Sequence, residues 1–156
     1  MKCVVQRVSR ASVTVYGEVV GEVGKGLLVL VGIQVDDTEA EVDWMARKLT
    51  SLRVFADAEG NMDLNVEQVE GGLLLVSQFT LYGELKKGTR PSFIRAARPE
   101  TAEPLYSKLV DMIRDQSSAP VATGRFGAMM DVELVNDGPV TVILEREPKT
   151  NNGSAD

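Results

Sequence analysis

Two continuous apolar runs constrain this chain more than anything else in it: Leu27 to Ile33 (LLVLVGI) and the LLLVSQF that fills Gly72 to Phe79. A strand that is apolar on both faces must be covered on both faces, so the first run predicts a central strand and the second another buried one. Three valine-rich stretches read as further strands: Lys2–Val8, Ser12–Tyr16 and Glu18–Val23. In the second of these, Val13 and Val15 alternate with Ser12 and Thr14, the period of a half-buried strand. Tyr16-Gly17-Glu18 breaks two such runs and predicts a hairpin, and Gly24-Lys25-Gly26 predicts a second turn.

Helices interrupt the strands. Thr38 followed by Glu41 is a capping box, and Val42, Met45, Ala46 and Leu49 then fall on one face. A second helix is predicted from near Thr101, with Leu105, Leu109, Met112 and Ile113 on one side. Pro104 is expected in its first turn, where a missing N–H costs little. Between the helices, Ser51–Phe55 reads as a strand, Asp57–Met62 as a turn, and residues 85–99 as a loop. After the second helix come strands at Val121–Thr123, Met130–Val135 and Val140–Glu145, the last two separated by a turn at Asn136–Pro139. The order predicts one α/β domain over residues 1–147, with mixed sheets and two main helices packed on one side. The polar stretch 148–156 is expected to be a disordered tail.

With 156 residues the chain has the length of one domain. It has one cysteine, Cys3, so no intrachain disulfide forms, and it has no histidine. That excludes a Ser-His-Asp triad, a Cys-His dyad and any histidine general base, and it removes the commonest transition-metal ligand. No metal or other cofactor is expected. Seventeen Lys/Arg against 23 Asp/Glu leave a net charge of -6, unsuited to coating nucleic acid indiscriminately. No apolar run is long enough to span a membrane. Met1 to Val8 lacks the features of a signal peptide, so a cytoplasmic location is expected.

Four stretches carry convergent polar or basic groups. Ser77-Gln78-Phe79-Thr80 emerges from a buried strand, where α/β proteins place ligands; it also reads as a polar strand end bonded to its own loop. Leu85 to Pro99 holds Lys86, Lys87, Arg90, Arg95 and Arg98 and no acid. That loop suits phosphates, or it is a solvated loop balanced by Glu84 and Glu100, with Phe93 free to stack on a base or pack inward. Gly124-Arg125-Phe126-Gly127-Ala128 sets an aromatic between glycines. Asn136-Asp137-Gly138-Pro139-Val140-Thr141 reads first as a hairpin turn. None of the four pairs a nucleophile with a base, and a hydroxyl without activation is weak. The residues thus favour a binding protein, or an enzyme that borrows a group from its substrate.

The opening QRVSRASVTV, then SQFTLYG, KKGTRPSF and GRFGAMMDVELVNDGPVT, in this order, resemble the D-aminoacyl-tRNA deacylase family from Met1 to about Leu144. The resemblance implies hydrolysis of the ester between a D-amino acid and the terminal ribose of tRNA. It also implies removal of mischarged glycine and sparing of L-aminoacyl-tRNA, a chirality proofreading step in translation. It implies a homodimer working without metal or cofactor on the acceptor end of D-aminoacyl-tRNA and glycyl-tRNA. Ser77, Gln78, Phe79 and Thr80 would line the pocket, and Phe126, Gly127 and Ala128 would lie near the terminal adenosine. The Gly138-Pro139 bond would be cis and cross the dimer interface into the partner's pocket, braced by Arg7.

Such a reading accounts for the missing base. An aminoacyl ester on ribose carries a vicinal hydroxyl at high effective molarity. The protein then needs to hold the ester, orient water or that hydroxyl, and stabilise the oxyanion, for which the N–H groups near Phe79 and Thr80 are candidates. Thr80 is expected to position substrate rather than attack it. The competing expectation is a nucleic-acid-binding homodimer without catalysis, using the basic loop 86–98.

Overall fold

The computed structural model describes residues 1–150, so most of the expected tail lies outside the described residues. One strand organises the rest. β1 (Lys2–Val15) is unbroken over 14 residues, where the sequence pattern divides it in two. Its first half pairs antiparallel with β3 (Gly26–Gly32), and its second half with β2 (Glu18–Val23). Along its other edge it pairs with β8 (Asp131–Glu145). β6 (Gly72–Ser77) lies parallel to β3, and β7 (Val121–Thr123) parallel to β6. The predicted central strand is therefore flanked on both edges, by β1 and β6. β3 and β6 begin on facing glycines because the backbones leave no room: a Cβ on Gly26 would stand 1.9 Å from the Gly72 carbonyl oxygen.

The helices α1 (Glu39–Ser51) and α2 (Pro99–Gln116) pack together and cover one face of the sheet. Val42, Met45, Ala46 and Leu49 of α1 are buried as the spacing predicts, against Val5, Val29, Val31, Leu73 and Leu75. Burying such side chains stabilises the fold by roughly 1.5–3 kcal/mol each. The opposite face, with Leu28, Leu74 and Val76, is covered by the chain itself, because the second half of β1 curls over it and brings Val8, Val13 and Val15. The result is a single mixed α/β domain with two helices on one side.

Four expectations about elements need correction. Ser51–Phe55 is not a strand. Thr50 and Ser51 donate their hydroxyls to the carbonyls of Ala46 and Arg47, at 3.0 and 2.6 Å, and carry the helix through Ser51. Only Phe55–Ala56 (β4) pairs, with Met62–Leu64 (β5), across the turn expected at Asp57. α2 starts earlier than expected, with Pro99 at its first position. Pro104 thus lies in the helix interior, where the donor it lacks belonged to the exposed Glu100 carbonyl. β6 ends at Ser77, and Phe79–Tyr82 form a 3₁₀ turn.

The fourth correction concerns Asn136–Pro139. It is not a hairpin turn. Thr141 pairs with Gln6 and Asn136 pairs with Val8, so both halves of β8 run along the same strand and residues 137–140 bulge out opposite Arg7. A bulge re-aims the chain without ending the ladder.

Where β1 begins, the Met1 α-ammonium is fully buried. It lies 2.7 Å from the equally buried Asp37 carboxylate and donates to the Arg146 carbonyl at 2.8 Å. The same carboxylate accepts from the Gln34 N–H at 2.8 Å, closing the corner that leads into α1.

Candidate active site

A cleft of about 630 Å³ opens where β6 ends, between the start of α2 and the segment from β7 to β8. Its walls are mostly aliphatic, contributed by Val31, Ile33 and Val76 on the sheet and by Ala97 and Ala102 beside and on α2. Of the residues the sequence singles out, Ser77, Gln78, Phe79, Phe126, Gly127 and Ala128 all line it. Six residues from two distant stretches thus converge because β6 and β7 are parallel neighbours and both chains leave the sheet at the same end.

The strand end is built from the sheet outward. The Gln78 N–H donates to the Val31 carbonyl at 2.7 Å, which ties the residue just past β6 to the central strand. The chain then tightens into the 3₁₀ turn, and the Gln78 side-chain amide donates to the Thr80 hydroxyl. Thr80 therefore joins the site through Gln78 and is not itself part of the cleft wall. The opening N–H groups of a helical turn have no acceptor inside it, so those of Phe79 and Thr80 are left without a partner in the turn.

Aromatic contacts set the mouth and the floor. Phe79 meets Phe93 edge to face, with ring centres 5.2 Å apart, so Phe93 packs at the cleft rather than standing free in the loop. Phe126 leans on Tyr106 at 5.8 Å, and the Tyr106 hydroxyl donates to the Leu75 carbonyl at 3.0 Å beneath it. Burial pushes that hydroxyl up to about 12, so it stays protonated and structural. Gly127 has a φ of +74°, in the left-handed region that glycine enters at no steric cost.

Arg7, Gly138 and Pro139 lie elsewhere, since none of them lines the cleft of their own chain. The Gly138-Pro139 bond is cis, and Asn136 to Pro139 stand exposed on the bulge. Arg7 holds it from below. Its Nε donates to the Asp137 carbonyl at 3.0 Å, and a terminal nitrogen donates to the Val54 carbonyl at 2.7 Å. Asn136 completes the clamp, donating to the carbonyls of Arg7 and Val140 at 3.0 and 3.1 Å.

The basic loop is partly neutralised. Glu84 lies 3.7 Å from Lys86 and 3.6 Å from Arg95, and Arg95 also reaches Glu147 at 3.5 Å. Lys87, Arg90 and Arg98 have no ion pair among the described residues. Met129 and Met130 line the cleft without having been singled out in the sequence, whereas Arg98 and Pro99 belong to the basic stretch that was. The two methionines carry no polar signal. Arg98 carries one, as a cation of the basic stretch from Leu85 to Pro99. Among the described residues no three His, Cys, Asp or Glu side chains gather as metal ligands, and no helix is long and apolar enough to cross a membrane.

Comparison with known proteins is consistent across sequence and structure. Residues 4–145 match the family model described as D-Tyr-tRNA(Tyr) deacylase. A D-aminoacyl-tRNA deacylase of Chlorobaculum parvum is 54% identical over 149 residues, which are 96% of this chain and 100% of that protein. Another, of Brevibacillus brevis, is 57% identical over 145 residues, 93% of this chain and 99% of the relative. A solved structure described as a c-Myc DNA Unwinding Element Binding Protein matches with a TM-score of 0.90 and 43% identity, over 95% of this chain and all of its own. A probable eukaryotic D-amino acid tRNA deacylase has a TM-score of 0.76 at 19% identity over 92% of this chain and 97% of its own, a likeness of fold alone.

Proposed function

The chain belongs to the D-Tyr-tRNA(Tyr) deacylase family and is a hydrolase acting on D-aminoacyl-tRNA; from that premise we propose how it works. The substrate's acceptor end enters the cleft with the ester at Ser77, Gln78, Phe79 and Thr80 and the terminal adenosine near Phe126, Gly127 and Ala128. Water adds to the ester carbonyl carbon, and the oxyanion is held by the N–H groups of Phe79 and Thr80. The carbon–oxygen bond to the ribose then breaks, and the departing ribose oxygen takes up the proton. The vicinal ribose hydroxyl relays that proton, in place of the side-chain base the site lacks.

The observation that carries this mechanism is the site's composition. A polar strand end opens on an apolar cleft where no carboxylate, lysine or histidine side chain lines the wall. Thr80 accepts a hydrogen bond from the Gln78 amide, a donor that orients its hydroxyl and cannot act as its base. The chemistry proceeds on the chain's own groups and the substrate's, without a metal or cofactor.

Rejection of the L hand is the work of the Gly138-Pro139 bulge supplied by a second copy of the chain. Two hands of one amino acid present the same atoms, so only a wall that one of them strikes separates them well. Two features favour a homodimer. The bulge does not reach its own cleft, and β8 pairs on one edge only, with Val135 and Ile143 exposed along it. Glycine, lacking a side chain, passes the same filter, so mischarged glycine is removed too. The protein acts in the cytoplasm as a proofreader of translation.

The decisive assay follows release of amino acid from D-tyrosyl-, L-tyrosyl- and glycyl-tRNA in EDTA. Loss of the D and glycyl esters with sparing of the L ester is expected. Equal hydrolysis of both hands would leave an esterase and remove the filter. A trapped acyl-Thr80 would make Thr80 the nucleophile instead.

A second reading is favoured by one observation, the similar structure described as a DNA-binding protein. It makes this chain a non-catalytic nucleic-acid binder that uses residues 86–98. Binding that weakens with salt and ignores the aminoacyl group would identify it.

A further inference from the structure

Among the described residues Arg98 is the only charged one lining the cleft, and it stands where a helix wants something else. It is the residue that precedes the first position of α2, with extended φ and ψ of -71° and 154°, and its side chain caps nothing. Ser, Thr, Asp or Asn would bond a free N–H there and stabilise the helix, and a cation opposes the helix dipole. No acidic group compensates, because Arg98 has no ion pair among the described residues although Glu100 follows in the first turn. Residues that break a local rule without structural gain concentrate at functional positions.

The helix backbone offers little as an alternative anion receptor, with only the Glu100 N–H left over and its own carboxylate beside it. Pro99 has no N–H, and those of Thr101 and Ala102 both donate to the Arg98 carbonyl, at 3.0 and 2.9 Å. What remains at the rim is the exposed Arg98, whose cleft neighbours are otherwise mostly apolar. Its five donors in a planar fork match phosphate oxygens. We propose that Arg98 binds a phosphodiester of the single-stranded RNA 3′ end and so sets the direction in which that end enters the cleft. The inference rests on the deacylase reading for its substrate. It adds a contact to the nucleotide backbone that recognition of the nucleoside and the amino acid does not require.

The test separates a phosphate contact from a structural role. Arg98→Ser removes the guanidinium and installs a good cap, so the variant should melt at the same temperature as the parent or higher. Its affinity for the trinucleotide cytidylyl-cytidylyl-adenosine should fall about tenfold, the scale of one charge-assisted contact, while its affinity for adenosine should change less than twofold. The salt dependence of trinucleotide binding should become shallower, and Arg98→Lys should recover part of the loss. On D-tyrosyl-tRNA the serine variant should show a raised KM with little change in kcat. Equal losses for trinucleotide and adenosine, or no loss for either, would overturn the assignment. If the parent hydrolysed no aminoacyl ester yet Arg98→Ser still lost the trinucleotide selectively, the deacylase mechanism would fail and the phosphate contact would stand.

Discussion

Arg7 holds Asp137 twice: its Nε donates to the Asp137 carbonyl at 3.0 Å and lies 3.1 Å from the Asp137 carboxylate. The first residue sits in the middle of β1 and the second in the bulge of β8 directly across from it. The pairing makes the most exposed part of β8 one of its best-anchored parts. In the proposed mechanism that bulge is the wall that tells the two hands of an amino acid apart.

Arg7→Ala should therefore loosen the wall. It removes the donors to Asp137 and to the part-buried Val54 carbonyl. Since Asp137 is about half exposed, most of the cost comes from the carbonyls, and a loss of roughly 1–3 kcal/mol is expected in urea melts. Arg7→Lys keeps the charge without the fork and should fall between. The ratio of D- to L-ester hydrolysis should drop in both, and an unchanged ratio in a folded Arg7→Ala would contradict the bracing role.

Gly138→Ala probes the same element sterically. The added Cβ would stand 2.6 Å from the Asn136 side-chain oxygen, whose amide holds Arg7 and Val140. The bulge must shift at its exposed residues, while the core, which it enters only at Val140, stays in place. The melting temperature should move by only a few degrees, about 1 kcal/mol, and selectivity should narrow by tenfold or more. Parallel measurement of melting and of D/L rates checks this.

Asp37→Asn tests the buried end of β1. Burial pushes the Asp37 carboxyl above its ordinary value, and the Met1 ammonium and the Gln34 N–H oppose that rise. Asparagine keeps the shape but leaves a buried ammonium without its counter-charge. A destabilisation of about 3–5 kcal/mol is expected, with kcat/KM of the folded fraction little changed. Denaturant melts and active-site titration would separate the two effects.

Glu41 should make part of the stability acid-sensitive. Burial raises its carboxyl, but hydrogen bonds from the Thr38 hydroxyl and backbone lower it by more, so it lies below the ordinary glutamate value. A folded value below the unfolded one means that the stabilisation is complete above the unfolded value and is lost as pH falls through the folded one. Glu41→Gln should flatten the loss of stability that the parent shows as pH falls below the ordinary glutamate range. Thr38→Ala should cost about 1 kcal/mol at neutral pH. Superimposable acid limbs for parent and Glu41→Gln would refute the linkage.

The candidate site was half legible. Ser77 to Thr80 stood out because polar groups followed directly on an apolar strand, and Phe126 to Ala128 because glycines flanked an aromatic. Both signals are local. Met129 and Met130 line the cleft only because β7 lies beside β6, and nothing in a methionine pair announces that. Asn136 to Pro139 reads as a hairpin turn for the same reason, although it is a bulge. Four turn-forming residues look alike whether the strands beside them pair with each other or, as here, both pair with β1.

By itself the sequence determined what depends on neighbours along the chain. That covers the buried runs of β3 and β6, the capped α1 with its apolar face, and the absence of any histidine with which to build a base. The tertiary structure alone decided what depends on pairing between distant segments. It made β1 one long strand with β8 along its edge, turned the Gly-Pro segment into a bulge anchored by Arg7, and set Arg98 at the rim of the cleft. Apolar periodicity and caps act over a few residues, so they can be read in place. A ladder partner or a cleft wall is chosen by the packing of the whole chain.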